Sequence, residues 1–214
     1  MRKLYQGTLH SVSSLAAVVA VVFFAGASFA GIVSSEHDFS NKGWNNTGEI
    51  CVVCHAPHNS NTSVSDAPLW NHAVTTATFT TYSSATLDAT TGQPDGISKL
   101  CLSCHDGTVA IDNFGGQGGG SQFMSGGELI GTDISNDHPI SLVYDSSLAS
   151  LDGGLHDPST RASGLGGTVD EDLLFNAKLE CGSCHDVHDS QGTGGHLLRL
   201  SNNGSALCLT CHDK

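Results

Sequence analysis

Cysteine is missing from this 214-residue chain everywhere except in four short stretches, so none is left over for a disulfide. Basic residues are scarce: 8 Lys and Arg stand against 21 Asp and Glu. An excess of this sign repels polyanions, which argues against nucleic acid and anionic membrane surfaces as partners. Positive partners, metal cations and oxide minerals fit it, and so does a role in solubility alone. Aromatics are only 6% of residues, whereas Gly numbers 26 and Ser, Thr, Asn and Asp are abundant. Such a chain lacks the side-chain mass for a conventional core and leans towards disorder on its own. Charge is also absent from Leu4 to Ser35, which contains no Asp, Glu, Lys or Arg.

That uncharged stretch follows Arg2 and Lys3, has an apolar centre at about Leu15 to Ala25, and reaches small residues at Ser28-Phe29-Ala30. The pattern is that of a secretory signal peptide, residues 1–30, cleaved after Ala30. The stretch is long enough to anchor in a membrane. However, Ser11, Ser13, Ser14, Gly26 and Ser28 dilute it, and a cleavage site follows. No Cys stands at that site, which excludes a lipid anchor there. Export is therefore expected. Removing Arg2 and Lys3 with the leader leaves 6 basic residues against 21 acidic ones, a net charge of −15 with His neutral.

The eight cysteines all lie in Cys-x-x-Cys-His: Cys51 to His55, Cys101 to His105, Cys181 to His185 and Cys208 to His212. This is the attachment sequence for c-type haem. The thiols of Cys51, Cys54, Cys101, Cys104, Cys181, Cys184, Cys208 and Cys211 would bond the porphyrin edges. His55, His105, His185 and His212 would be the proximal iron ligands. Two zinc sites built from CxxC pairs are the competing reading, but they give no reason for a His after every second Cys. Residues 31–214 would then supply about 46 residues per haem, with haem as most of the core. The apo-chain is expected to be unfolded.

The motifs repeat as two pairs. The first member of each has a second His three residues on, His58 after His55 and His188 after His185. The second members share Leu-Cys-Leu-Ser/Thr-Cys-His-Asp, and a leading His precedes each pair, His37 and His138. Two tandem dihaem modules, about 31–114 and 128–214, follow from this. The repeat selects His37, His58, His138 and His188 as distal ligands. A His three residues beyond a proximal one starts on that haem's proximal side, so it must reach a different haem. His72, His156 and His196 are expected at the surface or beside a propionate. With bis-His ligation no site on iron is open, and potentials are low. That favours electron transfer over catalysis.

Secondary structure is sparse in this reading. Val74 to Thr91 reads as a short strand or extended edge, Gly92 to Gly96 as a turn, Gly115 to Gly127 as a flexible loop, and Asp170 to Leu179 as a helix. His138 precedes Pro139 and is biased towards an extended conformation. The fourth motif lies near the chain end with little polypeptide to cover its haem. Its distal ligand is expected from a neighbouring copy, with His58 as the best donor; the competing reading is that His58 ligates within its own chain.

Ser35 to Ser40, Cys51 to Asn59, Ala67 to Asn71, Leu100 to Ala110, His138 to Ser141, Glu180 to His188 and Leu198 to Lys214 together resemble the tetrahaem members of the doubled-CxxCH cytochrome c family. The filament-forming branch is the nearest likeness. The resemblance implies mostly irregular coil with few short α-helices, wrapped around a stack of four covalent c-type haems with bis-His ligation. It also implies export beyond the outer membrane and polymerisation with other copies of itself. Other multihaem cytochromes of the periplasm or outer membrane would be partners, and metal oxides would be extracellular acceptors. A monomeric periplasmic shuttle, or the electron-input subunit of a reductase, is the alternative. An oxyanion reductase would need one five-coordinate haem.

Overall fold

The computed structural model describes residues 31–65, 67–191, 193 and 196–213. The expected signal peptide, residues 1–30, lies outside the described residues. The chain is mostly coil with a few short helices and one two-stranded sheet. In order these are α1 (Gly96–His105), a 3-10 turn (Gly126–Glu128), β1 (Leu142–Val143), α2 (Ser146–Asp152), α3 (Val169–Leu173), β2 (Lys178–Leu179), α4 (Cys181–Cys184), a second 3-10 turn (Asn203–Ser205) and α5 (Cys208–Cys211).

Three of the five helices hold CxxCH cysteines. In the first, third and fourth motifs the His N–H donates to the carbonyl of the first Cys, at 2.8, 3.0 and 2.9 Å for His55, His185 and His212. One closed turn places positions i, i+3 and i+4 on a common face, so two thiols and an imidazole converge. The second motif ends a ten-residue helix, α1, that begins directly after the Gln93-Pro94-Asp95 bend.

Apolar packing is thin, as the composition requires. One cluster buries Leu142, Tyr144, Ala149, Val169, Leu173 and Leu174, and a second buries Phe79, Leu102 and Ile134. Polar side chains do the remaining sewing. The Thr-rich segment stays extended, with a single bridge from Thr80 to Asp133. It is fastened to α1 by Thr75, whose N–H donates to Ser103 Oγ at 3.0 Å and whose hydroxyl donates to Asp106.

The two sequence modules interlock. Glu180, 2% exposed, accepts from the Ser98 N–H of α1 at 3.3 Å and from the Ser141 hydroxyl at 2.9 Å. Ser98 Oγ in turn accepts from the Cys181 N–H at 2.9 Å. Burial raises the Glu180 carboxyl above its ordinary range, and the two donors partly offset that cost. Gly182 makes the approach of α4 to α1 feasible: a Cβ there would stand 3.0 Å from the Phe175 ring and 3.1 Å from Ile97.

The helix expected from Asp170 to Leu179 is shorter. It starts one residue earlier, because Thr168 and Glu171 form a capping box, and it ends at Leu173. Beyond it Asn176 and Ala177 both take positive φ, 52° and 60°. They form a tight turn in which Phe175 and Lys178 exchange two 3.0 Å backbone bonds. That turn sends Lys178 and Leu179 back to pair antiparallel with Val143 and Leu142. Asn suits the left-handed region and Ala does not. Ala177→Gly is therefore expected to stabilise the holoprotein by about 1 kcal/mol, and a lowered thermal midpoint would contradict the assignment of strain.

Candidate haem sites

Each motif is clasped by a second piece of chain. At the first, Ala56 N–H donates to Leu69 O at 2.8 Å and Asn71 N–H to Cys54 O at 2.9 Å. At the third, Asp186 N–H donates to Leu197 O at 2.7 Å and Arg199 N–H to Cys184 O at 2.8 Å. At the fourth, the clasp comes from upstream: Asp213 N–H reaches Gly154 O at 2.9 Å, and His156 N–H reaches Cys211 O at 2.8 Å. Leu69 and Leu197 hold the same strained conformation, φ 53° and 54°. Strain of this kind survives only where surrounding contacts impose it.

The clasps set the proximal imidazoles. Nδ1 of His55 lies 2.7 Å from Pro68 O, that of His105 2.8 Å from Glu128 O, and that of His185 2.9 Å from His196 O. A carbonyl only accepts, so each Nδ1 carries the proton and Nε2 keeps its lone pair for a metal. Leu69 and the Leu129–Ile130 pair, just after two of these carbonyls, are among the exposed large apolar side chains. They lie where a porphyrin would supply the missing packing.

The distal candidates give a sharper test of fit. A first-row metal holds an imidazole nitrogen at about 2.0 Å, and the ring centroid lies roughly 1.1 Å further, so imidazoles on opposite sides of one metal have centroids about 6.2 Å apart. His37 faces His105 at 6.1 Å, His188 faces His55 at 6.2 Å and His138 faces His212 at 6.3 Å. The residues present therefore fit covalent haem held between paired imidazoles. His188 faces the proximal His of the first motif, not its own neighbour His185. Among the described residues no second imidazole faces His185 at this spacing, and His58 is exposed on its loop.

His37 is half-buried, and its Nδ1 is buried with no hydrogen-bond partner. Burial pulls its pKa down to about 4, and charges on His105, His185 and His188 add to the shift. It is thus neutral at neutral pH, the form a ligand needs. Burial also pushes the Cys54 and Cys211 thiols up to about 11 and the Cys104 thiol up to about 12, with neighbouring cysteines adding. Buried neutral thiols are poor thiolates; Cys181 is the exception, its thiol pKa lowered by a hydrogen bond from Cys101. Among the described residues no three His, Cys, Asp or Glu side chains converge to hold a bare metal ion, which a zinc site would require.

Residues 175–214 match the family model of the doubled CXXCH motif. No curated protein matches the chain. The match covers the second pair of motifs, which indicates covalent haem c and is consistent with a multihaem c-type cytochrome. The first pair carries the same Cys-x-x-Cys-His pattern outside the matched range.

Several expectations change in the structure. His138, not a residue of another copy, stands opposite His212. His72 is not at the surface: it is 1% exposed, with Nδ1 2.7 Å from Ala73 O and Nε2 3.0 Å from Ala110 O and 3.2 Å from Ile111 O. It joins two backbone segments beside Cys104, whose sulfur lies 3.7 Å from its Nε2. The Trp70 ring shields it, at a centroid distance of 6.3 Å. His156 and His196 act through their backbones, in the clasps of the fourth and third motifs. The carbonyls of Pro68, Glu128 and His196 were invisible as site residues because any residue type supplies a carbonyl. Their one shared signal is the Leu that follows each: Leu69, Leu129 and Leu197.

Two outcomes follow. His72→Ala should lower stability by about 1–3 kcal/mol through carbonyls left unpaired, while every low-spin haem is retained; losing one would make His72 a ligand. The ring planes of the three pairs are at 14° for His55/His188, 49° for His37/His105 and 75° for His138/His212. Parallel planes split the two iron dπ orbitals, and perpendicular planes leave them nearly degenerate. The ferric electron paramagnetic resonance spectrum should therefore contain both a rhombic low-spin signal and a strongly axial one. A single uniform rhombic signal would refute these orientations.

Proposed function

We propose that this chain is an exported electron-transfer protein that carries four covalent haems and assembles head-to-tail into a conductive filament outside the cell. The coarser part, haem binding and electron transfer, rests on the paired motifs. When bound, haem supplies an iron that accepts and releases one electron. The chain attaches it, fixes its neighbours and excludes water.

The carrying observation is the imbalance of imidazoles. Three proximal histidines face a partner at metal-bridging spacing, while among the described residues no imidazole faces His185 and His58 stands exposed. A residue that completes a site in another copy accounts for both. His58 of one copy then ligates the haem at His185 of the next, and a contact of this heterologous kind propagates without closing. Resemblance to filament-forming tetrahaem cytochromes, of the outer-membrane cytochrome E type, points the same way. Other multihaem cytochromes would deliver electrons, and metal oxides or other extracellular acceptors would take them. The acidic surface suits cationic and oxide partners.

The same imbalance favours a second reading. In a monomeric periplasmic protein the iron at His185 would keep an open position, as a small-molecule reductase needs. Carbon monoxide separates the two. Intact mass should first show four haems per chain. Under the filament reading, isolated monomers bind about one carbon monoxide per four haems and assembled filaments bind none. His58→Ala should give four-haem monomers with one high-spin iron and no filaments by electron microscopy. Filaments of normal length from that variant would overturn the bridging role, and monomeric wild-type protein retained in the periplasm would favour the second reading.

A further inference from the structure

The imidazoles of the three facing pairs differ in what meets their second ring nitrogen. Nδ1 of His55 and of His105 meets a backbone carbonyl, and Nδ1 of His138 lies 3.0 Å from Pro139 O. Nδ1 of His37 is buried without a partner. His188 is set apart from these four: its Nδ1 lies 3.5 Å from Oδ1 of Asp186. The carboxylate is itself built in. Oδ1 accepts from the His188 N–H at 2.9 Å, and Oδ2 accepts from the Ser190 N–H at 2.9 Å and from the Ser190 hydroxyl. Three donors on its two oxygens favour the ionised carboxylate. The first module has Ala56 where the second has Asp186, so the corresponding His58 has no such neighbour.

We infer that Asp186 positions His188 and tunes it, lowering the potential of the haem between His55 and His188. This rests on the haem reading above. A negative charge at Nδ1 raises the basicity of the ligating nitrogen. It also stabilises the more positive, oxidised iron directly, and more strongly in a partly buried site than in water. Neutral carbonyls at His55, His105 and His138 give a weaker effect of the same sign, and the unpartnered Nδ1 of His37 gives none. Because His188 comes from the second module and His55 from the first, the tuned site is also one where the two modules are stitched together.

The test uses full-length haem-loaded protein in a spectroelectrochemical titration, with the electrode as the electron source. Asp186→Asn keeps an oxygen that can accept from His188 N–H and Ser190 N–H, and it removes the charge. It should keep four haems and the low-spin spectrum while moving one redox wave to more positive potential and leaving the other three in place. Asp186→Glu should move that wave back. Asp170→Asn, which removes an equal charge from an exposed site on α3, should leave all waves in place. Ser190→Ala strips a donor from the carboxylate and should move the same wave the opposite way. Four waves that stay put or move together in Asp186→Asn would overturn the inference, as would an equal shift in Asp170→Asn. If Asp186→Asn instead loses a low-spin haem, an unmoved wave in Ser190→Ala overturns it, and a negative shift supports it. Wild-type protein lacking four haems would sink the haem reading itself, whatever these variants do.

Discussion

Three of the four proximal imidazoles reach their working orientation through one hydrogen bond, from Nδ1 to a backbone carbonyl on a different piece of chain. At His55, His105 and His185 those carbonyls belong to Pro68, Glu128 and His196. The bond fixes the tautomer, aims Nε2 across the site and commits a coil segment to lie against the motif. With so few apolar side chains, this protein has little else to define where a loop must run. The clasps at the first, third and fourth motifs make the coil as determinate as a sheet would. Their cost is visible in Leu69 and Leu197, held at φ 53° and 54°.

The polar sewing between modules follows from the same shortage. Glu180 is buried among Ser98, Ser141 and Ser183, and its N–H donates to Ser183 Oγ at 2.8 Å. Arg199 directs its guanidinium to the carbonyls of Gly182 at 3.3 Å and Asp172 at 2.8 Å, and Arg161 directs its own to Leu209 O at 3.0 Å. In a chain with few basic residues, these two hold backbone at the third and fourth motifs. Interior order of this kind depends on satisfied hydrogen bonds, and haem adds the apolar contact that side chains do not.

The cross-module facing of His188 and His55 is the clearest link from fold to function. It needs α4 to be pinned against α1, which Gly182 permits and Glu180 secures. Sites built this way are not separable into two independent dihaem units. His72, buried behind Trp70, works to the same end by joining the segment that leads from the first motif to the segment that leaves the second.

The sequence by itself determined the attachment chemistry, because thiol, thiol and imidazole at i, i+3 and i+4 are read from local spacing alone. It also determined the pairing of motifs and the mostly irregular fold, since composition limits how large a side-chain core can be. What faces what was decided only by tertiary structure. His188 opposite His55, His138 opposite His212 and His72 in the interior each join residues separated by dozens of positions, and nothing local encodes such distances. The helix after Thr168 illustrates the same limit at short range. Its acidic first turn and apolar face were legible, but its end at Leu173 depended on Asn176 and Ala177 accepting a left-handed turn so that Leu179 could pair with Leu142. The clasping carbonyls were the least legible of all, because every residue carries one and only the path of the backbone selects which is used.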